Sequence, residues 1–215
     1  MTPVYNLPLA PVALGRRARR KAELRERILR AAMDLFARQG FFPTTIEQIT
    51  QAADVGKGTF FNYFPSKEHV LAGFGEFQLA RMKAALAEAQ AGRRPIQQVL
   101  RRLVKALGEE PGRSPALVRS LMLANLASEP VRQLFRRNLA RGRRRLARIF
   151  ALGQQRGEIR RELQPARLAR VFQQMFLGTF LLWAAHPPSR LESWVDPAFE
   201  IFWSGIATRR GVKQL

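Results

Sequence analysis

The stretch TTIEQITQAADVGKGTFFNYFPSK, residues 44–67 of a 215-residue chain, decides how the rest is read. Ile46 and Ile49 stand three apart and share one helical face. Thr45 precedes that face, with Gln48 three residues on. A hydroxyl there accepts from the Gln48 backbone N–H while the Gln48 side chain reaches back, so the pair predicts a capping box. Asp54, Val55 and Gly56 interrupt the pattern as a turn. Residues 57–63, KGTFFNY, follow as a short second helix whose polar side chains are small or planar. Pro65 has no N–H and pushes Phe64 out of the α region, which ends it. Helix, tight turn and short helix make a shape that fits a DNA major groove.

Upstream, residues 23–39 carry Leu24, Ile28, Ala31, Ala32, Leu35 and Phe36 at spacings of three and four, an amphipathic helix that Gly40 stops. Phe41 and Phe42 enter the connection as core. Three helices, about 22–39, 46–53 and 57–63, are expected to share Ile28, Leu35, Phe36, Ile46, Ile49, Val55, Phe60 and Phe64 as a small core. Residues 1–20 read as a basic flexible arm, with three prolines in a segment without periodicity and then the run RRARRK at 16–21. Two readings of that run stand: it tracks phosphates or enters a minor groove, or it is a solvated tail.

Downstream, Ser66 is expected to cap a helix reaching about Ala91. Further helices are expected near 96–107, 114–126, 130–155, 165–185 and 197–208, and no strand alternation occurs, so the fold class is all-α. The helix at 165–185 is apolar almost all round. A helix apolar on more than one face is buried on more than one face, which calls for a second copy of the chain, and Gly178 lets a partner backbone approach.

The chain holds 37 Lys and Arg against 16 Asp and Glu, a net charge of +21 and a pI of about 11.8. Charge of this size implies a polyanionic partner such as nucleic acid, an anionic membrane surface or an anionic ligand. Its distribution is uneven: residues 1–75 have 11 basic against 6 acidic side chains, and residues 76–215 have 26 against 10. The helix at 130–155 alone carries Arg132, Arg136, Arg137, Arg141, Arg143, Arg144, Arg145 and Arg148. It is either a rim for an anionic ligand, through residues such as Arg141 or Arg145, or a solvated face. With no cysteine, disulfides, thiolate catalysis and cysteine-ligated zinc are excluded. His69 lies among polar neighbours and His186 beside two prolines at a helix end, which suits structural or solvated roles; no serine has a base partner by spacing, and no Gly-rich phosphate loop or metal-ligand spacing occurs. No catalytic residue, metal or cofactor is therefore expected. The apolar run 175–185 is too short to span a bilayer, and the N-terminal charges follow the apolar part, the reverse of a secretory signal. A soluble, cytoplasmic protein with no membrane partner is expected.

Residues from about 25 to 71 resemble the DNA-binding domain of the tetracycline-repressor-like (TetR) family of bacterial regulators. The residues that carry the resemblance are Ile28, Ala31, Ala32, Leu35, Phe36 and Gly40; Thr44, Thr45, Ile46 and Ile49; Ala53, Val55, Lys57, Gly58 and Thr59; and the run from Tyr63 to Lys67, YFPSK. The resemblance implies a three-helix DNA-binding domain at 21–65 and a larger helical ligand-binding and dimerisation domain at 66–215. It implies a homodimer on a near-palindromic double-stranded DNA operator, released by a small-molecule effector; the excess of basic residues beyond residue 75 adds the expectation that this effector is anionic or of acyl type. Carried over by position, Thr44 and Thr45 would touch phosphate, and Lys57, Gly58, Thr59 and Phe61 would face the groove. Asn62 would serve a base or a phosphate, and Tyr63 and Lys67 would hold the DNA backbone on the far side. The last two helices would form the interface, through Val171, Gly178, Leu182, Phe199, Phe202 and Trp203. The effector pocket would draw on Met82, Leu103, Met122, Phe172 and Met175, with Asn125 or Gln173 as polar handles.

The chain departs from the family at Asp54, where glycine is usual, at Gly56, where serine or threonine is common, and at Phe61, where tyrosine is common. A non-specific or architectural basic nucleic-acid-binding protein is the alternative. It accounts for the charge but not for the large apolar core and the doubly apolar penultimate helix.

Overall fold

Nine α-helices follow one another in the computed structural model, which describes residues 16–186 and 189–208. They are α1 (Arg16–Gln39), α2 (Ile46–Ala52), α3 (Lys57–Tyr63), α4 (Lys67–Ala91), α5 (Ile96–Gly108), α6 (Pro115–Ala127), α7 (Glu129–Gln155), α8 (Pro165–Ala185) and α9 (Glu192–Ile206). A 3₁₀ turn, Pro111–Arg113, joins α5 to α6. Prolines open α6 and α8, where a missing N–H costs nothing. Ser114 caps α6 by accepting from the Leu117 N–H at 3.1 Å.

Two boundaries differ from expectation. The run from Arg16 to Lys21 is the start of α1 rather than arm, steadied by an Arg19–Glu23 ion pair one turn apart; residues 1–15 of the expected arm lie outside the described residues. The last helix begins at Glu192, so Pro197 sits inside it. Proline is a helix-start signal, and here it withdraws one backbone bond from within the helix instead.

The apolar side chains form two clusters. One surrounds Ile28, Ala32, Phe36, Phe41, Ile49, Phe60 and Phe64 from α1–α3 and their connections. It does not stop at residue 65: Val70 of α4, Leu117 and Ala124 of α6, and Val131 of α7 belong to it. The other joins α4, α5, α7, α8 and α9. Glycines set the spacing of α4 against α7, since a Cβ on Gly75 would collide with the Asn138 amide and one on Gly142 would lie 2.8 Å from Met82 Sδ.

The helix α8 is long and apolar enough to cross a membrane by length and composition alone. Its packing accounts for half of that character. Leu168, Ala169, Phe172, Phe176 and Trp183 are buried within the chain. Val171, Leu181 and Leu182 are 45–53% exposed on the opposite face, and Gly178 has open space above it. On α9 the expected interface residues Phe199, Phe202 and Trp203 are instead buried in the chain's own core. Phe202 meets the rings of Phe172 and Phe150 at 5.3 and 6.0 Å, closing an aromatic cluster between α7, α8 and α9. The outward apolar residue of α9 is Ile201, 74% exposed.

One short pairing of extended backbone ties the end of α7 to the end of α9. Gly157 turns at φ 73°, a left-handed value that favours glycine. Ile159 then forms an isolated antiparallel bridge with Ala207. Arg160 N–H donates to the Ile206 carbonyl at 2.9 Å and Thr208 N–H to the Glu158 carbonyl at 3.0 Å. The Glu158 carboxylate accepts from the Ile96 N–H at 2.6 Å, adding the start of α5.

Because Leu117 lies on α6 but is fully buried among α1–α3 side chains, Leu117→Ala is expected to cost about 2–4 kcal/mol. All three tryptophans lie beyond residue 180. Urea unfolding followed by their fluorescence should shift together with helix content followed by circular dichroism.

Candidate DNA-reading surface and effector cavity

The turn between α2 and α3 is built from local bonds. The Thr45 hydroxyl accepts from the Gln48 N–H at 3.2 Å, and the Gln48 side-chain oxygen accepts from the Thr45 N–H at 2.9 Å, completing the capping box. Asp54 takes φ 49°, the left-handed conformation that aspartate tolerates better than most residues. Its carbonyl accepts from Arg27 Nη2 at 3.2 Å, which fastens the turn to α1. Phe60 is fully buried beneath α3. Its burial turns Gly58, Phe61 and Asn62 outward, with Lys57 exposed at the helix start and Thr59 and Tyr63 half-buried on the flanks. Lys57 pairs with Glu47 of α2 at 2.5 Å. Thr45 is exposed beside this surface.

Two expected DNA contacts are directed inward. Thr44 is 1% exposed; its hydroxyl donates to the Gly40 carbonyl at 2.6 Å and accepts from the Gln39 amide at 3.2 Å. Lys67 donates to the carbonyls of Phe41, Phe42 and Thr44 at 2.7, 3.1 and 2.8 Å, and its ammonium lies 4.5 Å from the Phe41 ring centre. An ammonium has three protons, and all three are used. Burial pushes its pKa below the ordinary lysine value. Lys67 thus braces the α1–α2 connection against α4. The expected Ser66 cap is also absent, since its hydroxyl bonds Glu68 and His69 instead of the helix backbone.

Behind this head lies a cavity of about 240 Å³ between α4, α5, α6, α7 and α8. Leu71, Phe74, Met82, Leu107, Leu121, Met122, Leu134, Phe135, Phe172, Phe176 and Phe180 supply most of its wall, and among the described residues no charged side chain lines it. Two amide nitrogens turn to backbone, Gln78 donating to the Leu107 carbonyl at 3.0 Å and Gln173 to the Leu139 carbonyl at 3.1 Å, whereas the side-chain oxygens of Gln78 and Asn125 are buried without a hydrogen-bond partner among the described residues. Of the expected pocket residues, Met82, Met122, Asn125, Phe172 and Gln173 are on the wall. Leu103 and Met175 are not. Leu103 is 2% exposed in the core, because Val104 and Leu107 turn towards the cavity; Met175 packs on the core from the flank of α8. Gln78 and Asn138 were missed, although each is a polar residue within an apolar stripe, between Phe74 and Met82 and beside Leu134 and Leu139.

Neither Arg141 nor Arg145 lines the cavity. Arg145 is half-buried, and its Nη1 lies buried without a hydrogen-bond partner among the described residues. Burial, then the charges of Arg141, Arg144 and Arg148, pushes its pKa down. The cavity and the head share walls: Leu71, Phe74 and Leu121 line the one and pack against the core of the other.

A helix-turn-helix head resting on a hollow helical domain defines a ligand-responsive DNA-binding regulator. Residues 28–73 match the family described as bacterial regulatory proteins, tetR family, and residues 78–200 match the C-terminal domain of TetR/AcrR family transcriptional repressors. The HTH-type transcriptional repressor KstR of Mycobacterium tuberculosis is 29% identical over 180 residues, 81% of this chain and 76% of that protein. The regulator TcmR of Streptomyces glaucescens is 40% identical over 88 residues, 40% of this chain and 38% of its own length. The crystal structure of Thermus thermophilus FadR, a TetR-family transcriptional repressor in complex with lauroyl-CoA, superposes with a TM-score of 0.62 at 32% identity, over 86% of this chain and 96% of that one. The chain belongs to the TetR family of ligand-responsive, DNA-binding transcriptional repressors.

Lys67→Met removes the donor from three backbone carbonyls and is expected to cost about 1–3 kcal/mol in chemical denaturation without DNA. A variant as stable as the parent would show that the brace is dispensable.

Proposed function

We propose that the chain acts as a homodimeric repressor, held on a near-palindromic operator by one α3 per subunit and released by a long-chain acyl thioester. The cavity wall carries the reading of the effector. It is apolar, free of charge, and continuous with the core behind α1–α3. An acyl tail fits most of such a wall and a charged ligand does not, while the side-chain oxygens of Gln78 and Asn125, buried there without a hydrogen-bond partner among the described residues, would accept from a donor group on the ligand. The anionic head group would lie outside and draw on the arginines of α7, among them Arg145, which its neighbours Arg141, Arg144 and Arg148 repel. A phosphate paired with them would relieve that repulsion. The 32% identical FadR with its lauroyl-CoA supports the same class.

The exposed faces of α8 and α9, with Val171, Leu182 and Ile201, would meet the second subunit. The two α3 helices would then enter successive major grooves about 34–36 Å apart. Contacts to DNA are assigned to Thr45, Lys57, Gly58, Thr59, Phe61, Asn62 and Tyr63. A tail filling the cavity would press on Leu71 and Phe74 of α4 and Leu121 of α6, and so displace the head that rests on them.

Release of operator DNA should follow lauroyl-CoA, with laurate weaker by tenfold or more and free CoA inactive. Arg145→Gln should weaken lauroyl-CoA and leave laurate unchanged. Release by neutral drugs but never by acyl thioesters, followed by fluorescence anisotropy of labelled operator, would overturn the effector class. Thr59→Ala should change preference between bases in a selection from random duplexes, leaving the dependence on salt as it was.

A further inference from the structure

The DNA-reading stretch carries no net charge on a chain that stands at +21. Residues 44–67 contain Lys57 and Lys67 against Glu47 and Asp54. The protons of Lys67 go to three backbone carbonyls. Lys57 is the remaining cation, and its ammonium rests on a carboxylate oxygen of Glu47 across the turn. The two side chains are 58% and 60% exposed, so the pair lies on the surface beside Phe61 and Asn62. The contact with Lys57 holds the Glu47 carboxyl below the usual carboxylate range, which keeps it ionised at neutral pH.

An exposed pair of this kind contributes little to stability, because water and salt screen it. Its consequence concerns the polyanion. Binding to an arbitrary duplex draws on cation–phosphate contacts. To make one, Lys57 has to leave Glu47, and the carboxylate is then left facing phosphates of its own sign. A matched site asks for something different. An ammonium has three protons, so Lys57 can donate to acceptors on a base edge, such as guanine O6 and N7, while Glu47 keeps the third.

We propose that Glu47 is a specificity-determining residue of the DNA interaction, which engages Lys57 and so withholds it from phosphate, so that affinity falls more for arbitrary duplex than for the operator. The proposal rests on α3 being the recognition helix. Its setting is a chain whose residues 76–215 carry 26 basic against 10 acidic side chains, an imbalance that favours any polyanion regardless of sequence. A carboxylate in the reading surface is then the group that discriminates against docking without a match.

The test compares wild type with Glu47→Gln on two duplexes across a salt series: an operator enriched by the wild-type protein from a random pool, and a random duplex of equal length. In Glu47→Gln, affinity for random duplex should rise about five- to tenfold and its salt slope should steepen by about 0.9, the release of one further phosphate counterion. Operator affinity should rise less than twofold. Adding Lys57→Met should return random-duplex affinity to the wild-type value. Glu88→Gln makes the same change of charge at a carboxylate paired with Arg94 and Arg102, far along α4, and should alter neither affinity. An equal rise on both duplexes, no rise at all, or a rise that survives Lys57→Met overturns the proposal. A wild-type protein that enriches no sequence overturns the recognition-helix reading and the proposal with it. An enriched sequence with undiminished discrimination in Glu47→Gln overturns the proposal alone.

Discussion

A three-helix head of this size cannot bury its own apolar surface. Ile28, Phe36, Ile49, Phe60 and Phe64 leave one side open, and Leu117, Ala124 and Val131 from α6 and α7 close it. Small domains bury a smaller share of their surface and are marginal alone, so the side chains that α6 and α7 add to this core contribute to the head's stability. That dependence is what lets an event in one domain be felt in the other. Leu121 and Phe74 touch the head's core and the cavity at once. A ligand larger than the space available would have to move side chains that also pack against the core of α1–α3. Coupling between the two sites would then need no separate pathway, because they share wall residues.

Electrostatics follow a different plan from packing. The reading surface is neutral, whereas α7 holds eight arginines, of which Arg132 alone among the described residues pairs with a carboxylate. Like charges three and four residues apart on a helix oppose its formation by a few tenths of a kcal/mol per pair. The helix tolerates this because Leu146, Ile149 and Phe150 anchor its other face. An anion bound on this face, as proposed above, would relieve that repulsion.

What could be read from the sequence was whatever depends on near neighbours. The Thr45–Gln48 capping box, the turn at Asp54 and the start of α8 at Pro165 each rest on residues within a few positions, and all are present. Lys67 was misjudged because its three acceptors lie 23–26 residues earlier in the chain. Thr44 was misjudged for a related reason: a hydroxyl next to a helix start fits phosphate or backbone equally well until the Gly40 carbonyl is placed. On α9 apolarity could not separate inward from outward, so Phe199, Phe202 and Trp203 were assigned to a partner and Ile201 was passed over. The cavity posed the same difficulty, since Leu103 in solid core and Leu107 on its wall are chemically identical.

The bridge between Ile159 and Ala207 has a bearing on assembly. It clamps the last turn of α9 to the end of α7, and Glu158 adds the first turn of α5. A terminal helix would otherwise fray, and two chains meeting through such ends would have to order them at the moment of contact. Here that ordering is completed during folding of the single chain. Were two copies to meet through the apolar face centred on Leu182 and Ile201, as proposed above, the entropy lost would be mainly that of two rigid bodies joining.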